Sequence, residues 1–126
     1  MNEDKSIIHK ELSYKIIELS LEVHNELGCG FLEKVYENAM MLLFERDKIP
    51  ARQQAPADVH FQGKVIGQYF ADILVDSKVM LELKTVDAIT NVHIAQILNY
   101  LRATGIKLGL VLNFAKPKFE YKRLVL

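Results

Sequence analysis

The stretch that decides the fold is YFADILV-DSK-VMLELK, residues 69–84. Two short apolar segments flank a polar break, which is the pattern of a β-hairpin. Each segment carries charge in its interior: Asp72 in the first, Glu82 and Lys84 in the second. Burying a charge costs several kcal/mol unless the group is paired, hydrogen-bonded or bound to a metal. Three ionisable residues in one hairpin therefore indicate a functional site.

The register of this hairpin decides whether the three residues meet. With a three-residue loop at 76–78, Asp72 lies opposite Glu82, and their Cβ atoms are about 5 Å apart. Lys84 projects to the same face, because side chains alternate along a strand. A two-residue loop would shift the register and separate the two acids. The site hypothesis therefore predicts a three-residue loop.

Two carboxylates this close repel each other unless a cation lies between them. Mg²⁺ or Mn²⁺ suits such a pair, because both prefer oxygen ligands. The main-chain carbonyl of Leu83 is a further candidate ligand. The cation would polarise a phosphoryl oxygen and activate a water, and Lys84 would orient that water and stabilise the developing charge. The alternative is a cross-strand salt cluster on a half-exposed hairpin.

Apolar periodicity and turn residues predict the elements on either side of this hairpin. Pro56 indicates an edge or irregular strand, and Gly67 a bend. The order predicts an α/β (α+β) fold, a mixed sheet flanked by helices in which the strand after the third helix runs parallel to a neighbour. The predicted helices cover residues 6–27, 31–47 and about 90–103, and the strands 51–61, 64–75, 79–85, 107–114 and 119–126.

Two helices offer further candidate side chains. Glu33 and Glu37 lie one turn apart, so they share a face of the second helix, and either could reach the sheet. For Glu37 a solvent-facing position is the preferred interpretation. Gln96 and Tyr100 are one turn apart on the third helix and would suit substrate positioning. An ordinary polar boundary of an amphipathic helix explains them equally well.

Composition bounds the function only loosely. The 126 residues, half of them hydrophobic, fit a single domain over 1–126. A single cysteine, Cys29, forms no internal disulfide, which favours a reducing compartment such as the cytoplasm. The polar start of the chain does not look like a signal peptide, and no apolar run is long enough to span a bilayer, so no membrane partner is expected.

Charge is balanced overall but not along the chain. The net charge of zero gives no general argument for nucleic-acid binding. The last quarter is nevertheless basic, and a basic rim can bind a DNA backbone. A solvated face with a local bias is the alternative. The candidate backbone contacts are Arg102, Lys116, Lys118, Lys122 and Arg123.

Together these residues resemble a known family. Asp72 followed by Glu82-Leu83-Lys84, after an acid-bearing helix and before a glutamine-containing one, resembles the PD-(D/E)XK nuclease superfamily. The stretch LGCGFLEKVYE, residues 27–37, is similar to the small bacterial GxxExxY proteins, and AQILNYLR (95–102) and GLVLNF (109–114) extend that likeness. One departure is the position before Asp72, which is Ala71 rather than proline, although many superfamily members also lack that proline.

The resemblance implies a restriction-endonuclease-like core of αβββαβ order with an extra N-terminal helix. By this likeness Asp72 and Glu82 bind the metal and Lys84 is the catalytic lysine. Glu33 would be the helix acid near the metal, binding it directly or through water. Gln96, Tyr100 and Tyr36 would position the substrate.

Three functional hypotheses follow. The first is a Mg²⁺- or Mn²⁺-dependent endo- or exodeoxyribonuclease acting on DNA. The second is a catalytically weak or inactive nuclease-fold module that binds nucleic acid or protein. The third is a structural or oligomerisation protein that uses its long first helix. A homodimer is compatible with all three, because small proteins that handle duplex DNA often act as symmetric dimers.

Overall fold

The computed structural model describes residues 8–126 and shows one five-stranded mixed sheet. The strands follow chain order across the sheet; β3 and β4 are parallel and the other neighbours antiparallel. The predicted fold class is confirmed. The elements are α1 (Lys10–Leu27), α2 (Glu33–Arg46), β1 (Ala51–Phe61), β2 (Lys64–Val75), β3 (Val79–Lys84), α3 (Asn91–Thr104), β4 (Leu108–Asn113) and β5 (Glu120–Val125).

Helices cover both faces of the sheet. On one face α1 and α2 pack on alternate residues of the central strands, such as Ile73, Leu81 and Leu110. On the other face α3 packs on residues that include Met80 and Val111. Because both faces are covered, β4 is buried along its whole length. Across residues 8–126 the structure has no helix both long and apolar enough to cross a bilayer.

The first helix begins later than its apolar pattern predicts. His9 has a left-handed backbone with φ 52°, so the regular helix starts at Lys10. Part of the predicted helix, residues 6–7, lies outside the described residues. At the other end Gly28, with φ 70°, ends α1 as predicted.

The hairpin between β2 and β3 has the predicted register. Val75 pairs with Val79, which leaves residues 76–78 as the three-residue loop. Asp76 and Ser77 both adopt left-handed backbone conformations, with φ 51° and 55°, and the N–H of Lys78 donates to the carbonyl of Val75. This tight loop fixes which residues of β2 and β3 face each other.

β1 is an edge strand with an irregularity, as Pro56 predicts. The β1–β2 register shifts between Val59 and His60, so that Ile66, next to Gly67, has no partner. Gln54 has φ 50° and also lacks a partner. The hairpin of β1 and β2 is therefore bent, and its outer half packs towards α3 through Ala55, Ala57 and Ala71.

The third helix sits unusually close to the sheet. A Cβ added to Gly109 would lie 2.8 Å from Cγ2 of Ile97 and 3.3 Å from Met80. Thr90 caps the start of α3 and Gly105, with φ 77°, ends it. Glycine at position 109 thus sets the depth at which α3 packs.

Candidate functional site

Asp72 lies where β2 leaves β3. The paired ladder ends at Ile73 and Leu81, one residue before the predicted Asp72–Glu82 pair. There Oδ2 of Asp72 accepts a hydrogen bond from the main-chain N–H of Leu83 at 2.7 Å. Burial raises the pKa of Asp72, and this hydrogen bond partly opposes the effect. The carboxylate is thus held against the backbone between Glu82 and Lys84.

Glu82 is a buried carboxylate in which one oxygen lacks a hydrogen-bond partner. Only 8% of the residue is exposed, and its Oε1 has no hydrogen-bond partner. Burial, followed by the negative charge of Asp72, raises the pKa of Glu82 to about 7. A buried carboxylate oxygen without a partner is costly, and a proton or a cation would satisfy it.

Lys84 pairs with the other carboxylate oxygen of Glu82 and leaves Oε1 without a partner. Its Nζ lies 3.6 Å from Oε2 of Glu82, at the long end of the range for an ion pair. One fifth of the Lys84 side chain is exposed, so the ammonium is both paired and open to solvent. As predicted from strand alternation, Glu82 and Lys84 project to the same side of β3.

Glu33, at the start of α2, is held by the chain that follows β3. Its Oε2 accepts hydrogen bonds from the N–H of Thr85 at 3.0 Å and from the Thr85 hydroxyl at 2.7 Å. Burial alone would raise the pKa of Glu33, but these bonds and the charge of Lys84 hold the pKa below its usual range. The carboxylate of Glu33 therefore holds the backbone at Thr85, the residue that follows Lys84.

Glu37 was expected to face solvent, and that expectation is wrong. The residue is 2% exposed, and its carboxylate accepts hydrogen bonds from the amides of Gln53 at 2.6 Å and Gln54 at 3.3 Å. Lys34 also pairs with it, at 3.1 Å. Burial is the main cause that raises the pKa of Asp72 and of Glu82, and the charge of Glu37 adds to the effect in both. The partners of Glu37 on β1 lie 16 and 17 residues further along the chain, so the helix pattern gave no signal of its burial.

The predicted substrate-positioning residues differ in their exposure. Gln96 is exposed on α3. Tyr100 is 1% exposed, and its hydroxyl donates to the carbonyl of Ala55 at 3.3 Å. Tyr36 is fully buried, and its hydroxyl donates to the carbonyl of Gly28 at 2.7 Å. In this geometry Gln96 alone presents its polar group to solvent, and the two tyrosines hold neighbouring loops and strands.

The basic candidates divide between the two faces of the sheet. Lys122 pairs with Val111, which pairs with Glu82, so the exposed Lys122 shares the face of the acid pair. Arg123 lies on the opposite face, where its guanidinium donates to Oγ of Ser13 and to the carbonyl of Ile8. Of the two, only Lys122 is exposed on the face of the sheet that carries the acid pair.

The loop between β4 and β5 holds two more basic candidates. Lys116 is paired with Glu120 at 3.3 Å, and its carbonyl accepts from Nε2 of His24 at 2.8 Å. Lys118 is exposed in the same loop. Arg102, exposed on α3, donates to Oδ1 of Asn99 at 3.1 Å. The basic candidates are thus spread over α3, the loop and β5.

The donor set fits a hard divalent cation. Asp72 and Glu82 offer two carboxylates, one with an unpartnered buried oxygen, and magnesium-like ions take one or two carboxylates and keep several waters. Within residues 8–126 no group of three or more His, Cys, Asp or Glu converges in a metal-binding arrangement. A cation here would accordingly take its remaining ligands from main-chain carbonyls, waters or substrate oxygens.

The mixed five-stranded sheet with flanking helices is consistent with a restriction-endonuclease-like fold. The chain belongs to the PD-(D/E)XK nuclease superfamily, whose family model matches residues 10–124. Members of this superfamily generally use divalent metals.

A comparison with solved structures supports the same fold. The crystal structure of SSO0001 is similar with a TM-score of 0.57 and 14% sequence identity, covering 73% of this chain. The matched region corresponds to 48% of SSO0001, so this chain spans about half the length of that protein. No curated protein matches the chain significantly.

Proposed function

We propose that this chain is a Mg²⁺- or Mn²⁺-dependent nuclease that hydrolyses phosphodiester bonds in DNA, as an endo- or exodeoxyribonuclease. The observation that carries the proposal is the unpartnered, buried Oε1 of Glu82 beside Asp72. A structural salt cluster would be expected to satisfy that oxygen, whereas a cation site leaves it free. The likeness of residues 27–37 to the GxxExxY proteins is part of the proposal.

Asp72 and Glu82, with the main-chain carbonyl of Leu83, would hold the cation. When bound, the cation would supply Lewis-acid activation of the phosphate and of a water. Nζ of Lys84 lies 3.6 Å from Oε2 of Glu82 and the side chain is partly exposed, so it could donate hydrogen bonds to a phosphoryl oxygen or to the attacking water. Glu33 anchors Thr85 and so restrains the backbone that carries Lys84.

In this proposal the residues around Asp72 and Glu82 attract the cation or bind the substrate. Glu37 adds negative charge that strengthens the attraction of the site for a cation. Gln96 would contact the substrate from α3, and Arg102, Lys118 and Lys122 would bind its phosphates.

The domain extends over the whole of residues 1–126 and acts in the cytoplasm.

A cleavage assay tests the proposal. Single-stranded, duplex and nicked DNA are incubated with Mn²⁺ and wild type, Asp72→Asn or Lys84→Ala, with Lys78→Ala as a control in the exposed loop of the same hairpin. We expect Asp72→Asn to abolish cleavage, and Lys84→Ala to reduce it about 10²- to 10³-fold, the usual cost of removing one group that stabilises developing charge. Lys78→Ala should cleave like wild type. Equal activity of all four proteins would refute the site.

One observation favours a second candidate, a nuclease-fold binding module without cleavage. Lys84 is paired with Glu82, and within the described residues no third acid completes a metal cluster. Calorimetry separates the two proposals. Mn²⁺ binding that is lost in Asp72→Asn supports the nuclease, whereas identical heats in wild type and variant support the binding module.

A further inference from the structure

A cleft of about 740 Å³ lies between the β1–β2 hairpin and α3. Its volume is in the range of sites that bind small organic ligands. The side chains that bear on its chemistry are those of Asp58, Tyr69, Gln96, Asn99, Tyr100 and Arg102. The cleft therefore combines aromatic, amide and charged groups, and the cation proposal above leaves most of them without a role.

The cleft and the candidate metal site share the strand β2. Tyr69 precedes Asp72 by three residues on β2. Burial raises the pKa of Tyr69 to about 12, and the nearby charges of Glu82 and Asp72 add to the effect. A ligand against the Tyr69 ring would thus lie within electrostatic reach of the candidate cation site.

Two aromatic rings form a fixed wall. The rings of Tyr69 and Tyr100 meet edge to face with centroids 5.9 Å apart. Tyr100 is held by its hydrogen bond to the Ala55 carbonyl, while Tyr69 is only partly buried. A preorganised, partly open aromatic surface suits stacking with a flat ring such as a nucleobase.

The polar groups around this wall match the edges of a base and its phosphate. Gln96 and Asn99 are exposed amides on α3, and amides both donate to and accept from base edges. Arg102, hydrogen-bonded to Asn99, places a cation at the rim, where a phosphate can pair with it. Asp58 accepts from Gln68 at 3.0 Å and can still accept from an amino group of a base.

We propose that this cleft binds an unpaired nucleotide of single-stranded DNA, with its base stacked on Tyr69 and its phosphate at Arg102. The proposal rests on the nuclease function above and narrows the substrate to strands with unpaired bases next to the bond that is cut. Bases within a duplex are stacked on both faces and cannot enter such a cleft without being flipped out.

The test compares binding of a fluorescein-labelled thymine oligonucleotide and of the same strand in a duplex, by fluorescence anisotropy in Ca²⁺. The proteins are wild type, Tyr69→Leu and Asn99→Ala. Tyr14→Leu is the matched control, because it removes an exposed tyrosine far from the cleft. Tyr14 is 63% exposed and lies on α1, the helix that packs on the face of the sheet opposite α3. Thermal melts establish that each variant is folded. A strand carrying 2-aminopurine reports stacking through quenching of its fluorescence.

We expect wild type to prefer the single strand and to quench 2-aminopurine. Tyr69→Leu should weaken single-strand binding about five- to hundredfold, the range found for loss of one base–aromatic stack, and should abolish the quenching. Asn99→Ala should weaken the same binding less, and Tyr14→Leu should bind like wild type. If Tyr69→Leu and Asn99→Ala both bind the single strand like wild type, the proposal is wrong. It is also wrong if the wild-type protein does not bind the single strand.

The same samples separate this proposal from the nuclease function. If cleavage in Mn²⁺ depends on Asp72 while the cleft variants bind normally, the cleft assignment fails and the nuclease stands. If single strands bind through Tyr69 without any cleavage that depends on Asp72, the nuclease fails and the cleft stands. A wild type that prefers a matched uracil oligoribonucleotide would overturn the assignment to DNA.

Discussion

The carboxylate of Asp72 accepts the main-chain N–H of Leu83 at 2.7 Å, at the point where β2 separates from β3. A side chain thereby satisfies a backbone donor of β3 beyond the end of the paired ladder. The bond fixes the Asp72 carboxylate beside the backbone that carries Glu82 and Lys84. Asp72 consequently has a structural role, as the acceptor for Leu83, and a proposed role as a metal ligand. Substitutions of Asp72 can separate these two roles.

The first prediction concerns the stability of two variants of Asp72. Asp72→Ala leaves the N–H of Leu83 unpaired and should lower the free energy of unfolding by about 1–3 kcal/mol. Asp72→Asn retains an acceptor oxygen and removes the charge next to Glu82, so it should be at least as stable as wild type. Urea denaturation at pH 7.5 measures both. Equal loss of stability in the two variants would contradict the structural task of Asp72.

The second prediction concerns pH. The pKa of Glu82 rises from 4.5 to about 7 on folding, so the folded state binds the proton more tightly than the unfolded state. Without metal, Glu82 therefore makes stability fall as pH rises from about 4.5 to about 7. In Glu82→Gln this contribution is absent, and the variant should exceed wild type at pH 8 by up to about 3 kcal/mol.

Denaturation of both proteins at pH 4.5 and pH 8 tests this linkage in EDTA. The difference between them should grow with pH, and Mn²⁺ should stabilise wild type but not Glu82→Gln at pH 8. A difference that stays constant with pH would show that Glu82 has an ordinary pKa.

The third prediction concerns the anchor between Glu33 and Thr85. Thr85→Val removes the hydroxyl donor at 2.7 Å and keeps the side-chain shape and the backbone donor. We expect a loss of about 1–3 kcal/mol, the range for hydrogen bonds to charged groups, and slower cleavage. Thr85→Ser is the matched control, since it retains the hydroxyl. If valine and serine behave alike, the hydroxyl does not anchor Glu33.

The fourth prediction concerns Glu37, whose negative charge raises the pKa of both Asp72 and Glu82. Glu37→Gln should therefore lower both pKa values, measured by NMR titration of the side-chain carboxyl carbons. It should also weaken Mn²⁺ binding, because the site loses negative charge. The control is Glu45→Gln, an exposed residue of the same helix. A pKa of Glu82 that is unchanged in Glu37→Gln would place Glu37 outside the site.

The fifth prediction concerns the depth of α3. Gly109→Ala would place a methyl group 2.8 Å from Ile97, and overpacking of this kind costs about 1–3 kcal/mol. The displaced helix should also reduce single-strand binding at the cleft. Gly67→Ala is the control, because a Cβ there meets nothing within 4 Å. If Gly109→Ala melts and binds like wild type, α3 is not held at this depth by Gly109.

The local chemistry of the chain was sufficient to predict the fold and part of the site. The polar break at 76–78 fixed the hairpin register, and Thr90 and Gly105 marked the ends of α3. These features depend on neighbours in sequence, so propensity and spacing capture them. Helix ends were less accurate, as at His9, where a left-handed backbone interrupts an apolar pattern that continues through it.

Features made by distant residues could not be predicted from spacing. Glu37 is buried because amides of Gln53 and Gln54, far along the chain, offset the cost of removing its charge from water. Arg123 looked like a free basic residue, yet it is bound to Ser13 on α1. In both cases a polar residue leaves solvent only because the fold supplies a partner.

The most direct test of the central claim is a crystal structure after soaking in Mn²⁺, with anomalous diffraction locating the ion. We expect a peak between the carboxylates of Asp72 and Glu82, bound by the Oε1 that now lacks a partner, with Lys84 nearby. The peak should be absent from crystals of Asp72→Asn. Ordered Asp72 and Glu82 side chains without a peak at saturating Mn²⁺, or a peak elsewhere alone, would contradict the claim.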